Sequence, residues 1–226
     1  MAYDTLTIII PAINEEETIN EVITKCRVYS DDIIVIDGHS TDKTKEVAKR
    51  AGATVYEDQK KGKGDAIRLG IAKAEREILV FIDADGSHDP EDIPKLITPI
   101  LDGRADHVIA SRMKGGSDEL HGDIGKFIRV TGSHVITMGI NYRFGVRLTD
   151  SQNGFRAIKR SVALALGLKE DVTSIEEEML IKTLKKRYRV AEVPSHEYAR
   201  KSGLPKLNVR KVWLRHVYVW LKHLFF

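Results

Sequence analysis

Ile78-Leu79-Val80-Phe81-Ile82-Asp83-Ala84-Asp85-Gly86-Ser87 joins five consecutive apolar residues to two aspartates separated by one alanine. A short apolar run with β-branched and aromatic members, closed by Gly, predicts a buried strand. Carboxylates at the end of such a strand are costly to bury unless a cation or several donors compensate them. A hard divalent ion shared with a diphosphate does so, because Mg²⁺ and Mn²⁺ prefer carboxylate and phosphate oxygen. Capping of a helix that begins near Pro90 accounts for one acidic residue, Asp89, and leaves Asp83 and Asp85 to bind metal or nucleotide.

Working outward, similar runs recur at 6–10, 33–36, 54–56 and 107–110, with helix-patterned stretches at 16–28, 41–50, 64–75 and 90–101 between them. That alternation predicts a doubly wound α/β sheet flanked by helices. Such sheets bind ligands at the carboxyl ends of their strands, where the polar motifs of this chain fall. Beyond Ala110 come a Gly-rich basic loop at 111–122, a helix candidate at 124–140, a polar turn at 149–154, a helix at 174–187 and a strand at 190–193. The expected division is one catalytic domain, 1–207, followed by an amphipathic helix, 208–226.

With 226 residues, 42% of them hydrophobic, the chain can bury a substantial core. Lys and Arg total 36 against 33 Asp and Glu, so the net charge of +3 says little about partners. Its distribution says more: Arg200, Lys201, Lys206, Arg210, Lys211, Arg215 and Lys222 lie together with no acid after Arg200, leaving +3 − 7 = −4 on the rest. A nucleic-acid partner is not expected, since stacking aromatics and a known RNA motif are missing. The single cysteine, Cys26, forms no internal disulfide and points to a reducing compartment. The first residues do not have the pattern of a signal peptide, and no segment of about 20 apolar residues spans a bilayer.

Three further polar stretches sit at predicted strand ends. In Pro11-Ala12-Ile13-Asn14-Glu15, Pro11 should end the strand and Asn14-Glu15 open a helix. In Ile36-Asp37-Gly38-His39-Ser40-Thr41-Asp42, Asp37 can accept from a base or ribose, while Ser40 and Asp42 suit capping of the next helix. In Lys61-Gly62-Lys63-Gly64-Asp65, the glycines permit close backbone approach and Lys63 sets a cation beside a helix start, an arrangement suited to an anion. In this order, with Asp83-Ala84-Asp85 as the DXD signature, they resemble family-2 glycosyltransferases. The resemblance implies a GT-A type fold with a Rossmann-like, mostly parallel sheet, a nucleotide diphosphate sugar as donor, and Mg²⁺ or Mn²⁺ as cofactor. It assigns Pro11, Ile13, Glu15, Asp37, Lys63, Asp83, Ala84 and Asp85 to the donor, and Asp83, Asp85 and Ser87 to the metal.

The second half is similar to the dolichyl-phosphate mannose and glucose synthases. The resemblance rests on Val108-Ile109-Ala110-Ser111-Arg112 with Lys114-Gly115-Gly116, on Arg129 and Ser133, and on Asp150-Ser151-Gln152-Asn153-Gly154-Phe155-Arg156. Spacing of four puts Arg129 and Ser133 on one helix face, where with Arg112 and Arg156 they can form a cationic pocket for a monophosphate. Arg200-Lys201-Ser202-Gly203-Leu204-Pro205-Lys206-Leu207 resembles the basic loop that closes over the donor diphosphate, which gives Arg200 and Lys206 to the leaving group. There are departures. Ile36-Asp37 stands where many relatives have two aspartates, Ser87 where the mannose synthases often carry Gln, and Ile13 where Tyr is common. GDP-mannose, UDP-glucose and UDP-N-acetylglucosamine therefore all remain open as donors.

The implied activity is inverting transfer of a sugar to dolichyl or polyprenyl phosphate, with Asp85, Arg112, Arg129 and Ser133 as the candidate catalytic residues. A phosphate monoester has a second pKa of about 6, so its oxygen is already anionic and needs no strong base. The protein must align the attack and stabilise the departing nucleoside diphosphate. As a helix, 209–226 sets Lys211, Arg215 and Lys222 on one stripe, with Trp213, Val217, Trp220 and Leu224 opposite. That pattern suits a helix lying on an anionic membrane, or one packed on the sheet domain or a second subunit. A peripheral position at the cytoplasmic face of the membrane is expected. Two rival functions are a family-2 transferase with a soluble or glycan acceptor, using Asp150 as base, and a non-catalytic nucleotide-sugar binding module.

Overall fold

The computed structural model describes residues 3–118, 124–200 and 209–225, with side chains for 3–118, 131–200 and 215–223. Its elements run β1 Leu6–Ala12, α1 Ile19–Cys26, β2 Asp32–Asp37, α2 Thr44–Arg50, β3 Thr54–Glu57, α3 Lys63–Lys73, β4 Ile78–Phe81, a 3₁₀ turn Pro90–Asp92 and α4 Ile93–Leu101. They continue β5 His107–Ser111, α5 Arg112–Gly115, α6 Ile124–Phe144, β6 Arg156–Lys159, α7 Arg160–Ala165, α8 Ile175–Lys185, β7 Val190–Pro194 and α9 Val209–Phe225. The strands form a sheet in the order β3-β2-β1-β4-β6-β5-β7.

The apolar runs become strands covered on both faces, as parallel sheets require. Ile8, Ile10, Val35 and Val80 face a layer containing Ile19, Ile23, Leu96 and Ile97, whereas Ile9, Ile34, Ile36, Leu79 and Phe81 face Ile67, Ile71, Val162 and Met179. Cys26 is buried in the first layer, and burial pushes its thiol up to about 12, so it is a passive core residue.

Two elements depart from expectation. Pro11 does not end β1; it pairs with Ile36 inside the strand. Ile9 O accepts from Ile82 N on the β4 side, so alternation turns Pro11 to that side too, past the last β4 partner, Phe81. Its missing N–H therefore leaves no ladder bond unmade. The second is β6, antiparallel to both β4 and β5 between parallel neighbours. Its four residues, Arg-Ala-Ile-Lys, are too short a run for periodicity to reveal. Because β6 runs against its neighbours, its amino end brings the 149–155 turn to the edge where β1, β2, β4 and β5 end.

Helix α9 packs against α6 and α8. Val219 is fully buried, and the Trp220 ring lies so close to Gly139 of α6 that any side chain there would collide with it. Arg215 and Lys222 turn toward Glu170, at 2.9 Å and 3.5 Å, and His216 Nδ1 lies 2.7 Å from Glu177 Oε1. Of the two arrangements the pattern allowed, packing on the domain is the one seen at Val219 and Trp220, and two cations of the stripe pair with the domain's own acids. Among the described residues no helix is long and apolar enough to cross a membrane.

Trp220→Ala should lower the unfolding free energy in urea by about 3 kcal/mol, the low end for a buried aromatic; a loosely attached tail would leave the midpoint in place. Burial opposes a charge on His216, but Glu177 outweighs it and holds the imidazole above its ordinary range. A raised folded pKa means that the contribution is complete below the unfolded value and is lost as pH rises through the folded one. The urea midpoint should therefore fall as pH is raised above about 6.5, and His216→Gln should flatten that slope.

Candidate active site

The first two loops form a cross-stitched platform. Asn14 N donates to Ser40 Oγ at 2.9 Å, Thr41 N to Asn14 Oδ1 at 2.8 Å, Glu15 N to Thr44 Oγ1 at 2.8 Å, and Glu16 N to Asp42 Oδ2 at 3.2 Å. Ser40 therefore joins the two loops rather than capping α2, while Asp42 serves both, also accepting from Thr44 N at 3.0 Å. Ile13 stands partly exposed, with its Cβ 3.3 Å from where a Gly38 side chain would begin. At the end of β2, Asp37 is fully buried; Oδ2 accepts from Ser40 N at 2.9 Å, and Oδ1 has no partner among the described residues.

Beside this platform Lys63 Nζ lies 2.7 Å from Asp83 Oδ1 and 3.0 Å from Glu176 Oε1. Burial opposes the ammonium charge, yet Asp83 and Glu176 hold it above the ordinary amine range. Burial likewise opposes the Asp83 charge, and Lys63 keeps that carboxyl below its usual range. Gly154 roofs the pair: a Cβ there would lie 2.8 Å from Lys63 Nζ and 3.0 Å from Asp83 Oδ2. Gly64 N and Asp65 N both donate to Asp171 O, at 2.9 Å and 3.3 Å. The start of α3, expected to receive an anion, is thus filled by the turn before α8, a correction to the sequence expectation. Asp83, too, faces a fixed protein cation.

Asp85 is held differently. Its Oδ1 accepts from Ser87 N at 3.0 Å and Ser87 Oγ at 2.6 Å, while Oδ2 meets Arg200 Nε at 3.1 Å, a cation about half exposed. Among the described residues no group of three or more His, Cys, Asp or Glu could hold a metal unaided. An Mg²⁺-like ion does not need one, since it takes one or two carboxylates and draws its other oxygens from substrate phosphates and water. Asp85, oriented by Ser87 and opposed by the half-exposed Arg200, fits that role. His88 stacks on Phe155 with ring centroids 5.2 Å apart, and burial holds its imidazole below the ordinary range.

On the far side, Arg112 Nε lies 2.6 Å from Asp150 Oδ2 and its NH2 2.9 Å from Oδ1, a bidentate pair. Burial opposes the Asp150 charge, but Arg112 keeps the carboxyl below its usual range; Asp150 is only 2% exposed. Thr149 N and Asp150 N both donate to Glu192 Oε1 at 2.8 Å, and Lys114 Nζ sits 3.1 Å from Glu192 Oε2. Ser133 is half-buried on α6. The Arg129 side chain and Lys206 lie outside the described residues. Arg156 does not reach this pocket, a second correction: it is 1% exposed, its Nε and NH2 donate to Asn153 O, and its NH1 donates to Glu176 O at 2.9 Å. Burial draws its pKa down to about 10.

After β7 the chain crosses between the two sides. Tyr198 N donates to Ser87 O at 2.8 Å, Glu197 N to Gly116 O at 3.0 Å, and Asp118 N to Glu197 O at 2.9 Å. Reasoning from sequence missed Glu176, Glu192 and Glu197. The helix expected at 174–187 carried no reading of Glu176-Glu177-Glu178, and all three are buried. Lys63→Met should cost about 3 kcal/mol in unfolding free energy, because it leaves Asp83 and Glu176 without their cation; chemical denaturation at neutral pH measures it.

Residues 7–167 match the family described as Glycosyl transferase family 2. Glycosyltransferase AglJ of Haloferax volcanii is 33% identical over 205 residues, covering 88% of this chain and 65% of its own length. The UDP-N-acetylglucosamine–dolichyl-phosphate N-acetylglucosaminyltransferase of Methanococcus voltae is 31% identical over 218 residues, 86% of each chain. Glucosyl-3-phosphoglycerate synthase from Mycobacterium tuberculosis, solved with Mn²⁺, UDP-glucose and phosphoglyceric acid, superposes with a TM-score of 0.77 at 26% identity, covering 97% of this chain and 79% of that one.

Proposed function

The chain belongs to glycosyl transferase family 2 and has its GT-A type fold, and on that premise we propose that it transfers a sugar from a uridine diphosphate sugar to the phosphate of a polyprenyl chain such as dolichyl phosphate. One observation carries the acceptor half. Asp150, the carboxylate that a hydroxyl acceptor would need as base, is buried and committed to Arg112. A phosphate oxygen, anionic near neutral pH, needs no such base. The relative from Methanococcus voltae, named for a dolichyl-phosphate acceptor, supports the same reading.

Asp37 favours uridine in the donor. Its Oδ2 is taken by Ser40 N, so Oδ1 alone is left to accept. A single acceptor matches the one imide N–H of uracil; guanine presents adjacent N–H and NH₂ donors that want both carboxylate oxygens. Arg112, Arg129 and Ser133 bind the acceptor phosphate and aim one oxygen at the anomeric carbon, opposite the leaving diphosphate. The new C–O bond forms as the old one breaks, its electron pair leaving with the nucleoside diphosphate and the anomeric configuration inverting. Asp85, with Asp83 and Ser87 beside it, would hold Mg²⁺ or Mn²⁺, which when bound neutralises charge on the diphosphate. Arg200 and Lys206 add positive charge to the same leaving group.

The exposed face of α6 supports a membrane position. At 3.6 residues per turn, exposed Val135, Met138 and Tyr142 share one face and Ser133 lies on the opposite one. An outward apolar stripe laid on a bilayer at the cytoplasmic face leaves the phosphate-binding face turned toward the site.

Radiolabelled nucleotide sugars incubated with polyprenyl phosphate and Mg²⁺ or Mn²⁺ should deliver label to the organic phase from a UDP-sugar. EDTA should abolish transfer and added Mn²⁺ restore it. Asp85→Ala should lower the rate about a hundredfold or more. Efficient transfer to a soluble acceptor without lipid, or Asp85→Ala equal to the parent, overturns the proposal.

A further inference from the structure

We propose that the Glu197 carboxylate is an internal stand-in for the acceptor phosphate, occupying the anion position on Arg112 and thereby setting how tightly the protein takes phosphate monoesters. The inference rests on the polyprenyl-phosphate reading above. Asp150 uses the Nε–NH2 edge of Arg112 and leaves NH1 over. Glu197 Oε1 sits 3.5 Å from that NH1, and its Oε2 accepts from Ser117 Oγ at 2.6 Å. A guanidinium N–H beside a hydroxyl, on a loop carrying Gly115 and Gly116, is a donor set that phosphate oxygens satisfy as well as a carboxylate does.

The two acids on Arg112 are not equivalent. Asp150 is bidentate, short and 1% exposed in its side chain; Glu197 is a single contact at 3.5 Å and 17% exposed. A single contact that long, on a guanidinium whose other edge is already held by Asp150, is the weaker of the two and the one to exchange. Two carboxylates around one guanidinium also leave the spot net negative, so an incoming phosphate dianion displaces Glu197 rather than joining it. Only the side chain has to move. Glu197 N and O stay tied to Gly116 O and Asp118 N, and its neighbour Tyr198 N to Ser87 O.

The test is calorimetric binding of a water-soluble short-chain prenyl phosphate, with UDP binding measured alongside, for the parent, Glu197→Gln, Glu197→Asp and Ser117→Ala. Glu197→Gln keeps the shape and removes the charge, and should tighten prenyl phosphate binding about two- to fivefold. Glu197→Asp, which draws the carboxylate back, should act in the same direction, and Ser117→Ala should weaken binding; UDP affinity should hold in all. Unchanged or weaker prenyl phosphate binding by both Glu197 variants, with UDP affinity intact, overturns this inference and leaves the acceptor reading standing. If neither parent nor variant binds the prenyl phosphate while all bind UDP, the acceptor reading falls and this inference with it.

Discussion

One ammonium, Lys63, stands between Asp83 and Glu176, and three parts of the molecule take their positions from it. Buried Glu176 and half-buried Asp83 would repel each other without a cation between them, so the first turn of α3, the end of β4 and the start of α8 are drawn together. The close approach of α3 to the turn before α8 depends on Gly64, whose missing side chain leaves room for the Glu170 and Asp171 backbone. Gly154 closes the cluster from the third side. Asp83 is thereby fixed, and Asp85, two residues on, is oriented by Ser87 and meets the half-exposed Arg200 in place of a buried cation.

The same division recurs across the site. Asp83, Asp150 and Glu177 each have a close, largely buried partner in Lys63, Arg112 and His216. Two acids are held loosely: Asp85, by exposed Arg200, and Glu197, by the spare NH1 of Arg112. The loose groups Arg200 and Glu197 lie three residues apart on a segment that bonds to both the Asp85–Ser87 loop and the Gly116–Asp118 loop. A rigid frame of compensated charge thus surrounds a small number of exchangeable contacts, and those are the places where a ligand can replace protein at little cost.

Helix α9 lies beyond the residues that match the family, yet it is structural. Trp220 fills the space left by Gly139, and Ile136 and Ile140 of α6 join Leu180 and Ile181 of α8 in the cluster it covers. By bracing α6 from one side, α9 steadies the helix that carries Ser133 on its inner face and Val135, Met138 and Tyr142 on its outer one.

The sequence by itself determined the parallel sheet, because each strand buried on both faces is a continuous apolar run, and it located the Asp83–Asp85 pair and the polar loops at the strand ends. It misassigned what depends on neighbours far along the chain. Arg156 looked like a phosphate ligand and is a core tie to Asn153 and Glu176; the start of α3 looked like an anion site and is filled by Asp171. The partners of Glu176-Glu177-Glu178 were not legible either: successive residues fan about 100° apart around a helix, and each found a different cation, Lys63, His216 and Lys182. Which charge is compensated, and so which remains for a ligand, is set by pairs such as Lys63–Glu176 and Arg112–Glu197, remote in sequence; local patterning carries the strands, and only the tertiary structure carries the pairing.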